Sequence, residues 1–157
     1  MKKIPSFEIN HLNLKKGCYI SRVDEINKTR ITTFDLRMTD PNDEPVMETS
    51  AIHAIEHLGA TYLRNSSHAD QVIYFGPMGC RTGFYLLLEG KYKAKDILPL
   101  LLEMFDFIVN YQGDIPGASP RDCGNYQDMN LDMAKYYSRI YLQVLKNISQ
   151  DRLVYPK

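Results

Sequence analysis

Two histidines and a glutamate stand together in the segment HAIEH, which places His53 and His57 four residues apart with Glu56 between them. In an α-helix, residues four apart lie on one face, so both imidazoles can direct a nitrogen at the same ion. Glu56 would lie beside them on that face. A histidine pair with an adjacent carboxylate is more typical of metal binding than a lone histidine is. The pattern therefore predicts a metal site on a helix.

A third ligand must come from elsewhere in the chain, because two protein ligands hold a metal weakly. Cys123 is the best candidate, since it lies in the loop-forming sequence QGDIPGASPRDCGNYQD. A thiolate with two imidazoles suits zinc, cobalt or ferrous iron better than magnesium or calcium. Spacing alone also allows Cys123 to be a small, half-buried core residue. Three protein ligands would leave one position for water or substrate, as catalytic sites do.

The same helix leaves two other functions open. Its HxxEH order is also that of the inverted zinc peptidases, in which the glutamate activates a metal-bound water. A peptidase would use a downstream glutamate as third ligand and a longer chain, and neither is evident in the sequence. A purely structural site would be expected to fill all four positions with protein ligands. Lewis-acid catalysis with three protein ligands would use Cys123 as the third ligand. A peptidase would use a glutamate in its place, and a structural site would need a fourth protein ligand as well.

A second cysteine, Cys80, lies in the sequence GPMGCRTG. Three glycines there permit unusual backbone angles that could bring the thiol close to a ligand, and Arg81 could favour the thiolate. An incidental cysteine in a glycine-rich hairpin is equally compatible with these residues.

The elements that must carry these side chains begin with two strands, 18–26 and 30–38, which are rich in β-branched and aromatic residues. Asn27-Lys28-Thr29 between them predicts an antiparallel hairpin. Thr49 or Ser50 can cap a helix that runs to about residue 65 and contains HAIEH.

Later segments predict a second hairpin and two more helices. Strands over 71–75 and 84–90 would flank the Cys80 turn. Apolar residues at helical spacing predict helices over 94–111 and 130–148, the second following directly on the loop of Cys123. Since short turns join the strands, we expect a single α+β domain over residues 1–157, with an antiparallel sheet packed against helices.

Composition excludes several classes of protein. The chain has 157 residues, and its 19 basic and 19 acidic residues give a formal charge of zero, so no footprint for nucleic acid or anionic lipid is present. No apolar run is long enough to span a membrane, and the first residues lack the apolar core of a signal peptide. Three cysteines cannot all pair with one another. We expect a cytoplasmic protein with free thiols.

Three segments in this order, HAIEHLGATYLRN, YFGPMGCRTGFYL and IPGASPRDCGNYQ, closely resemble the S-ribosylhomocysteine lyase (LuxS) family. The resemblance extends to the N-terminal SFEINH, to FDLR and to the overall length. It implies cleavage of S-ribosylhomocysteine to homocysteine and 4,5-dihydroxy-2,3-pentanedione, the precursor of autoinducer-2. It also implies a homodimer with its sites at the subunit boundary. The family's fold is α+β and related to that of the metallopeptidases.

The resemblance also implies roles for particular residues. The ligands of one divalent metal per subunit, Fe²⁺ with Zn²⁺ or Co²⁺ as replacements, would be His53, His57 and Cys123. Cys80 and Glu56 would be the acid–base pair. The residues that match positions lining the family's substrate pocket are Ser6, His11 and Arg37.

These residue types suit that chemistry. The thioether leaves only after the sugar carbonyl has moved twice, through enediolates, so that the final β-elimination has an acidic hydrogen. Each migration removes a proton from one carbon and returns one to its neighbour, a task for the Cys80 thiolate. Glu56 would shuttle protons between oxygens and assist the elimination. No hydride is exchanged overall, so no nicotinamide or flavin is required.

Overall fold

The computed structural model describes residues 2–157, which form a four-stranded sheet and three α-helices. In chain order the elements are β1 (Gly17–Ile26), β2 (Thr29–Arg37), α1 (Thr49–Leu63), β3 (Val72–Pro77), β4 (Gly83–Glu89), α2 (Leu98–Asn110) and α3 (Leu131–Lys146). Short 3-10 turns occupy Pro5–Phe7, Ala69–Gln71, Ala94–Ile97 and Gln150–Arg152.

The sheet has the strand order β1-β2-β4-β3, and every neighbouring pair is antiparallel. β1 and β2 form the predicted hairpin, with Asn27 and Lys28 at positive φ values of 49° and 74°. Two successive residues with positive φ make the tight turn that matches the twist of a hairpin. Thr29, expected in the turn, belongs to β2. The predicted α+β fold with an antiparallel sheet is confirmed.

The two faces of the sheet have different roles, because side chains alternate along a strand. One row of neighbouring positions points into the core and consists of Cys18, Leu36 and Phe84. The next row, on the opposite face, consists of Tyr19, Asp35 and Tyr85. The helices cover the first face, and the polar second face extends toward the turn that carries Cys80.

The helices begin and end close to the predicted residues. On α1, Ile52, Ile55 and Leu58 are buried as expected, but the residue before the helix is Glu48, and neither Thr49 nor Ser50 caps it. The helix expected from residue 94 starts as the turn Ala94–Ile97 and continues as α2, with Pro99 in its first turn. The Asn130 side chain caps α3 by accepting from the Met133 amide.

A membrane span was not expected from the sequence. Of the helices in residues 2–157, none combines the length and the apolar character needed to cross a bilayer.

Candidate active site

The side chains of His53, His57 and Cys123 converge beside α1. The two imidazole centroids are 4.8 Å apart with ring planes at 80°, and Cys123 Sγ is 3.3 Å from His53 Nε2. One ligand atom from each of the three residues lies within 4.8 Å of the other two. Metal–ligand bonds of about 2.0–2.3 Å place the ligand atoms of one ion roughly 3–4 Å apart. The Cys123–His53 pair already has this spacing, and the other separations exceed it by no more than about 1 Å, so the cluster could close around a single transition-metal ion.

Backbone carbonyls orient both imidazoles. His53 Nδ1 lies 3.0 Å from the carbonyl oxygen of Asp128, and His57 Nδ1 lies 2.7 Å from that of Pro116. A carbonyl only accepts, so each Nδ1 carries the proton and each Nε2 keeps its lone pair for a metal. These contacts provide the outer shell that metal-binding histidines require. The two imidazoles and the thiol thus fit a thiophilic divalent ion.

One loop positions all three candidate ligands. Residues 111–130 deliver Cys123, and the same loop supplies the carbonyls of Pro116 and Asp128. Gly117 has φ +72°, and a Cβ there would lie 3.2 Å from His57 Nδ1. Glycine at this position therefore lets the Pro116 carbonyl close on the imidazole.

Glu56 lies where the helical spacing predicts. It lines a cavity together with His53, Asp128 and, from the β3–β4 turn, Met78 and Gly79. A carboxylate beside an open ligand position can move protons without itself binding the metal.

The Cys80 thiol is exposed in the turn between β3 and β4. Its Sγ lies 3.1 Å from Thr82 Oγ1 and 3.9 Å from Arg37 Nη1. The guanidinium at the thiol is therefore that of Arg37, whereas Arg81 lines the cavity of Glu56.

The unusual backbone angle in this turn falls on Arg81, at φ 61°. The expectation that the glycines supply such angles is wrong, since none of the three has positive φ. Gly83 instead permits close strand approach, because a Cβ there would lie 2.2 Å from the Leu36 carbonyl oxygen.

Arg37 is almost fully buried, and it is held by Asp35 on the same face of β2. Nε donates to Oδ1 at 3.1 Å and Nη2 donates to Oδ2, while Nη1 donates to Thr82 Oγ1 at 2.7 Å. Burial acts to lower the pKa of the guanidinium, but the attraction and hydrogen bonds of Asp35 outweigh it, and the pKa is raised. Arg37 is therefore a fixed positive charge.

Arg37, His11 and Cys80 line one cavity, together with Glu44. His11 Nδ1 contacts the carbonyl of Ile9 at 2.9 Å. Ser6, the remaining residue with a predicted substrate contact, lies within hydrogen-bonding reach of the Tyr85 side chain on β4.

The predicted site residues thus form two groups. The first holds His53, His57, Cys123 and Glu56, and the second holds Cys80, Arg37 and His11. The β3–β4 turn separates the groups, since Gly79 and Arg81 line the first cavity and Cys80 and Thr82 line the second.

Sequence reasoning missed two kinds of contributor. Backbone carbonyls such as those of Pro116 and Asp128 leave no trace in residue type. Asp35, by contrast, stands two residues before Arg37 in FDLR, and alternation along a strand places a carboxylate and a guanidinium at that spacing on one face. That pattern could have indicated the ion pair.

The fold and the site together define a class: a small α+β protein in which α1 and the loop before α3 present two histidines and a cysteine as candidate metal ligands, with an adjacent glutamate. Sequence comparisons give the particular family. The model of the S-ribosylhomocysteinase (LuxS) family matches residues 4–151.

Relatives from several bacteria agree with this match. The chain is 58% identical to the S-ribosylhomocysteine lyase of Clostridium acetobutylicum over 158 residues, covering 100% of both chains. It is 60% identical to that of Finegoldia magna over 157 residues, again with 100% of both chains covered. It is 54% identical to that of Borreliella afzelii, over 99% of this chain and 100% of the relative. The chain belongs to the S-ribosylhomocysteinase (LuxS) family.

Proposed function

We propose that this protein is an S-ribosylhomocysteine lyase, which cleaves the carbon–sulfur bond of S-ribosylhomocysteine to release homocysteine and 4,5-dihydroxy-2,3-pentanedione. The observation that carries the proposal is the convergence of His53, His57 and Cys123 in a chain of this family, with Glu56 beside them. The relatives named above are described as lyases for this substrate along their full length. The cysteine ligand and the family membership argue against the peptidase alternative.

His53, His57 and Cys123 would hold one divalent metal, which we propose to be Fe²⁺, with Zn²⁺ or Co²⁺ as replacements. When bound, the ion would supply Lewis-acid stabilisation of negative charge on the substrate oxygens. The hydrogen bonds from both Nδ1 atoms hold the imidazoles in orientation and leave each Nε2 free to face the ion.

Side chains of the protein itself would carry out the proton transfers. We assign to Cys80 Sγ the removal of a proton from one sugar carbon and its return to the neighbouring carbon. Glu56 would move protons between the adjacent oxygens and, in the elimination, protonate the sulfur of the departing homocysteine. Arg37 and His11, in the cavity of Cys80, would bind polar groups of the substrate.

The separation of the two groups supports a homodimer with composite sites. We propose that Cys80, Arg37 and His11 of one copy face the metal cluster of the other. Large apolar side chains that follow Ser6 and His11 in the chain are exposed, with Phe7 at 64% and Leu12 at 84%. Burial of such side chains by a partner would be favourable. We also propose that the protein is cytoplasmic, where its three free thiols stay reduced.

The activity is tested by anaerobic incubation of iron-loaded protein with S-ribosylhomocysteine, followed by titration of released homocysteine thiol. Cys80→Ala should abolish thiol release and retain the metal, whereas His57→Ala should lose the metal. The matched control is His68→Ala, because His68 lies in an exposed loop beside Ser67. Absence of thiol release by the parent protein would refute the lyase activity. Metal loss in Cys80→Ala would refute the division between ligand and base.

The composite site is tested by co-expressing Cys80→Ala and His57→Ala chains with different tags. Random pairing makes about half of the dimers mixed, and each mixed dimer has one intact site of two, so about one quarter of parental activity should return. If each chain carried a complete site, both chains would remain inactive in every dimer. Activity no higher than that of either variant alone would therefore contradict the composite arrangement.

A further inference from the structure

The C-terminal tail, residues 150–157, packs on the polar face of the sheet. Tyr155 stacks on Tyr19 with ring centroids 4.9 Å apart and planes at 14°. At the start of β1, a Cβ on Gly17 would lie 2.4 Å from the carbonyl oxygen of Arg152, so glycine is required for the tail to approach this closely. The tail is thus seated at a defined position over β1.

Tyr155 connects this tail to the cavity of Cys80. Its hydroxyl donates to Asp35 Oδ2 at 2.7 Å. Asp35 is fully buried and forms the two-pronged ion pair with Arg37. Nη1 of Arg37 then reaches Thr82 and Cys80. A continuous series of polar contacts therefore runs from the tail to the thiol.

The geometry of the guanidinium makes this connection directional. A two-pronged bond to a carboxylate fixes the guanidinium plane, so the position of Asp35 determines where Nη1 of Arg37 points. Oδ2 of Asp35 accepts from both Arg37 and Tyr155. Without the Tyr155 hydroxyl, the buried carboxylate loses one of its donors and holds Arg37 less firmly in position. Its negative charge is also less neutralised, so it cancels more of the positive potential that Arg37 produces at Cys80.

We propose that Tyr155 is a positioning residue for Cys80: through Asp35 it holds the Arg37 guanidinium so that its charge faces the thiol. The importance of this arrangement for turnover rests on the role of Cys80 in the proposed function. Tyr155 lies beyond residues 4–151, which the family model matches.

The test compares two alkylating reagents, anionic iodoacetate and neutral iodoacetamide, on the metal-loaded protein. The same Cys80 thiolate attacks both, so the ratio of their rate constants cancels the thiolate fraction and reports the charge nearby. Besides Arg37, the charged or titratable groups of this chain near the thiol include its sequence neighbour Arg81, together with His11, Glu44 and Tyr85, and these stay unchanged. Mass spectrometry of the Cys80 peptide separates its reaction from that of the other cysteines.

Tyr155→Phe retains the stack on Tyr19 and removes only the hydroxyl. It should lower the iodoacetate-to-iodoacetamide ratio by about threefold, and Arg37→Met should lower it by about tenfold. The matched control is Tyr62→Phe, which removes a tyrosine hydroxyl that donates to a carboxylate, Glu103, between α1 and α2 at 2.9 Å. The control should leave the ratio at the parental value.

A parental ratio in Tyr155→Phe would overturn the proposal, and so would an equal fall in Tyr62→Phe. If Arg37→Met does not fold, the comparison of Tyr155→Phe with Tyr62→Phe still tests the proposal. The assay uses no substrate. A parent protein that releases no homocysteine would therefore refute the proposed function and leave this ratio unaffected.

Discussion

Replacing Gly117 by alanine should weaken metal binding far more than it weakens the fold. Gly117 has φ +72°, and a Cβ there would lie 3.2 Å from Nδ1 and 3.3 Å from Cε1 of His57. The new methyl group must push either the imidazole or the 111–130 loop outward. Either movement lengthens the 2.7 Å contact between His57 Nδ1 and the Pro116 carbonyl. The perturbation therefore acts on the orientation of His57, one of the three proposed ligands.

The expected size follows from two separate contributions. An alanine forced to positive φ costs about 1–2 kcal/mol of folding stability. Loss of an outer hydrogen bond to a metal-binding histidine typically costs about 10–100-fold in metal affinity, or roughly 1.4–2.7 kcal/mol. Gly113 separates the two contributions, because it lies in the same loop at φ +98° and a Cβ there would have nothing within 4 Å. Gly113→Ala therefore introduces the backbone strain but no contact with His57, so it measures the strain contribution alone.

The assay is a titration of Co²⁺ against a competing chelator, followed by the absorption of the cobalt–thiolate bond to Cys123. Urea unfolding of the metal-free proteins measures the stability change in parallel. Gly117→Ala and Gly113→Ala should lose similar stability, and only Gly117→Ala should lose affinity. Equal affinity losses in the two variants, or parental affinity in Gly117→Ala, would refute the reasoning.

Two further predictions concern stability. Burial, and secondarily Asp35, raises the pKa of the Cys18 thiol well above its usual value. Above about pH 9 the unfolded chain loses a proton that the folded chain keeps, so stability is complete below that pH and falls as pH rises. Urea unfolding should show a slope shallower by about 1.4 kcal/mol per pH unit in Cys18→Ala. Ser138 is fully buried on α3, and its hydroxyl lacks a partner among the described residues. Ser138→Ala should therefore raise the unfolding free energy by about 1 kcal/mol.

Each stability prediction has a clear contrary outcome. Identical alkaline slopes for the parent and Cys18→Ala would mean that the thiol titrates alike in the folded and unfolded chains. A lower unfolding free energy in Ser138→Ala would mean that the hydroxyl has a stabilising partner, such as a buried water.

Local patterns in the amino-acid sequence were sufficient to predict the elements and to propose His53 and His57 as candidate ligands, whereas spacing alone left the role of Cys123 open. The spacing of His53 and His57 on an apolar helix, and the glycine- and proline-rich loop of Cys123, indicated a metal site because helical periodicity is a local property. The hairpins, α3 and the buried face of α1 followed from the same kind of pattern. The prediction of glycine angles around Cys80 failed because Arg81 took the strained conformation.

Which charges meet, and on which side of the sheet, depends instead on the tertiary structure. That Arg37 rather than Arg81 reaches the Cys80 thiol follows from the register of β2 with β4, and that Tyr155 reaches Asp35 follows from the path of a tail 120 residues away in the chain. The separation of Cys80 from the proposed metal ligands likewise depends on the direction in which one turn projects its side chains. Such contacts join residues that are distant in sequence, and local propensity carries no information about them.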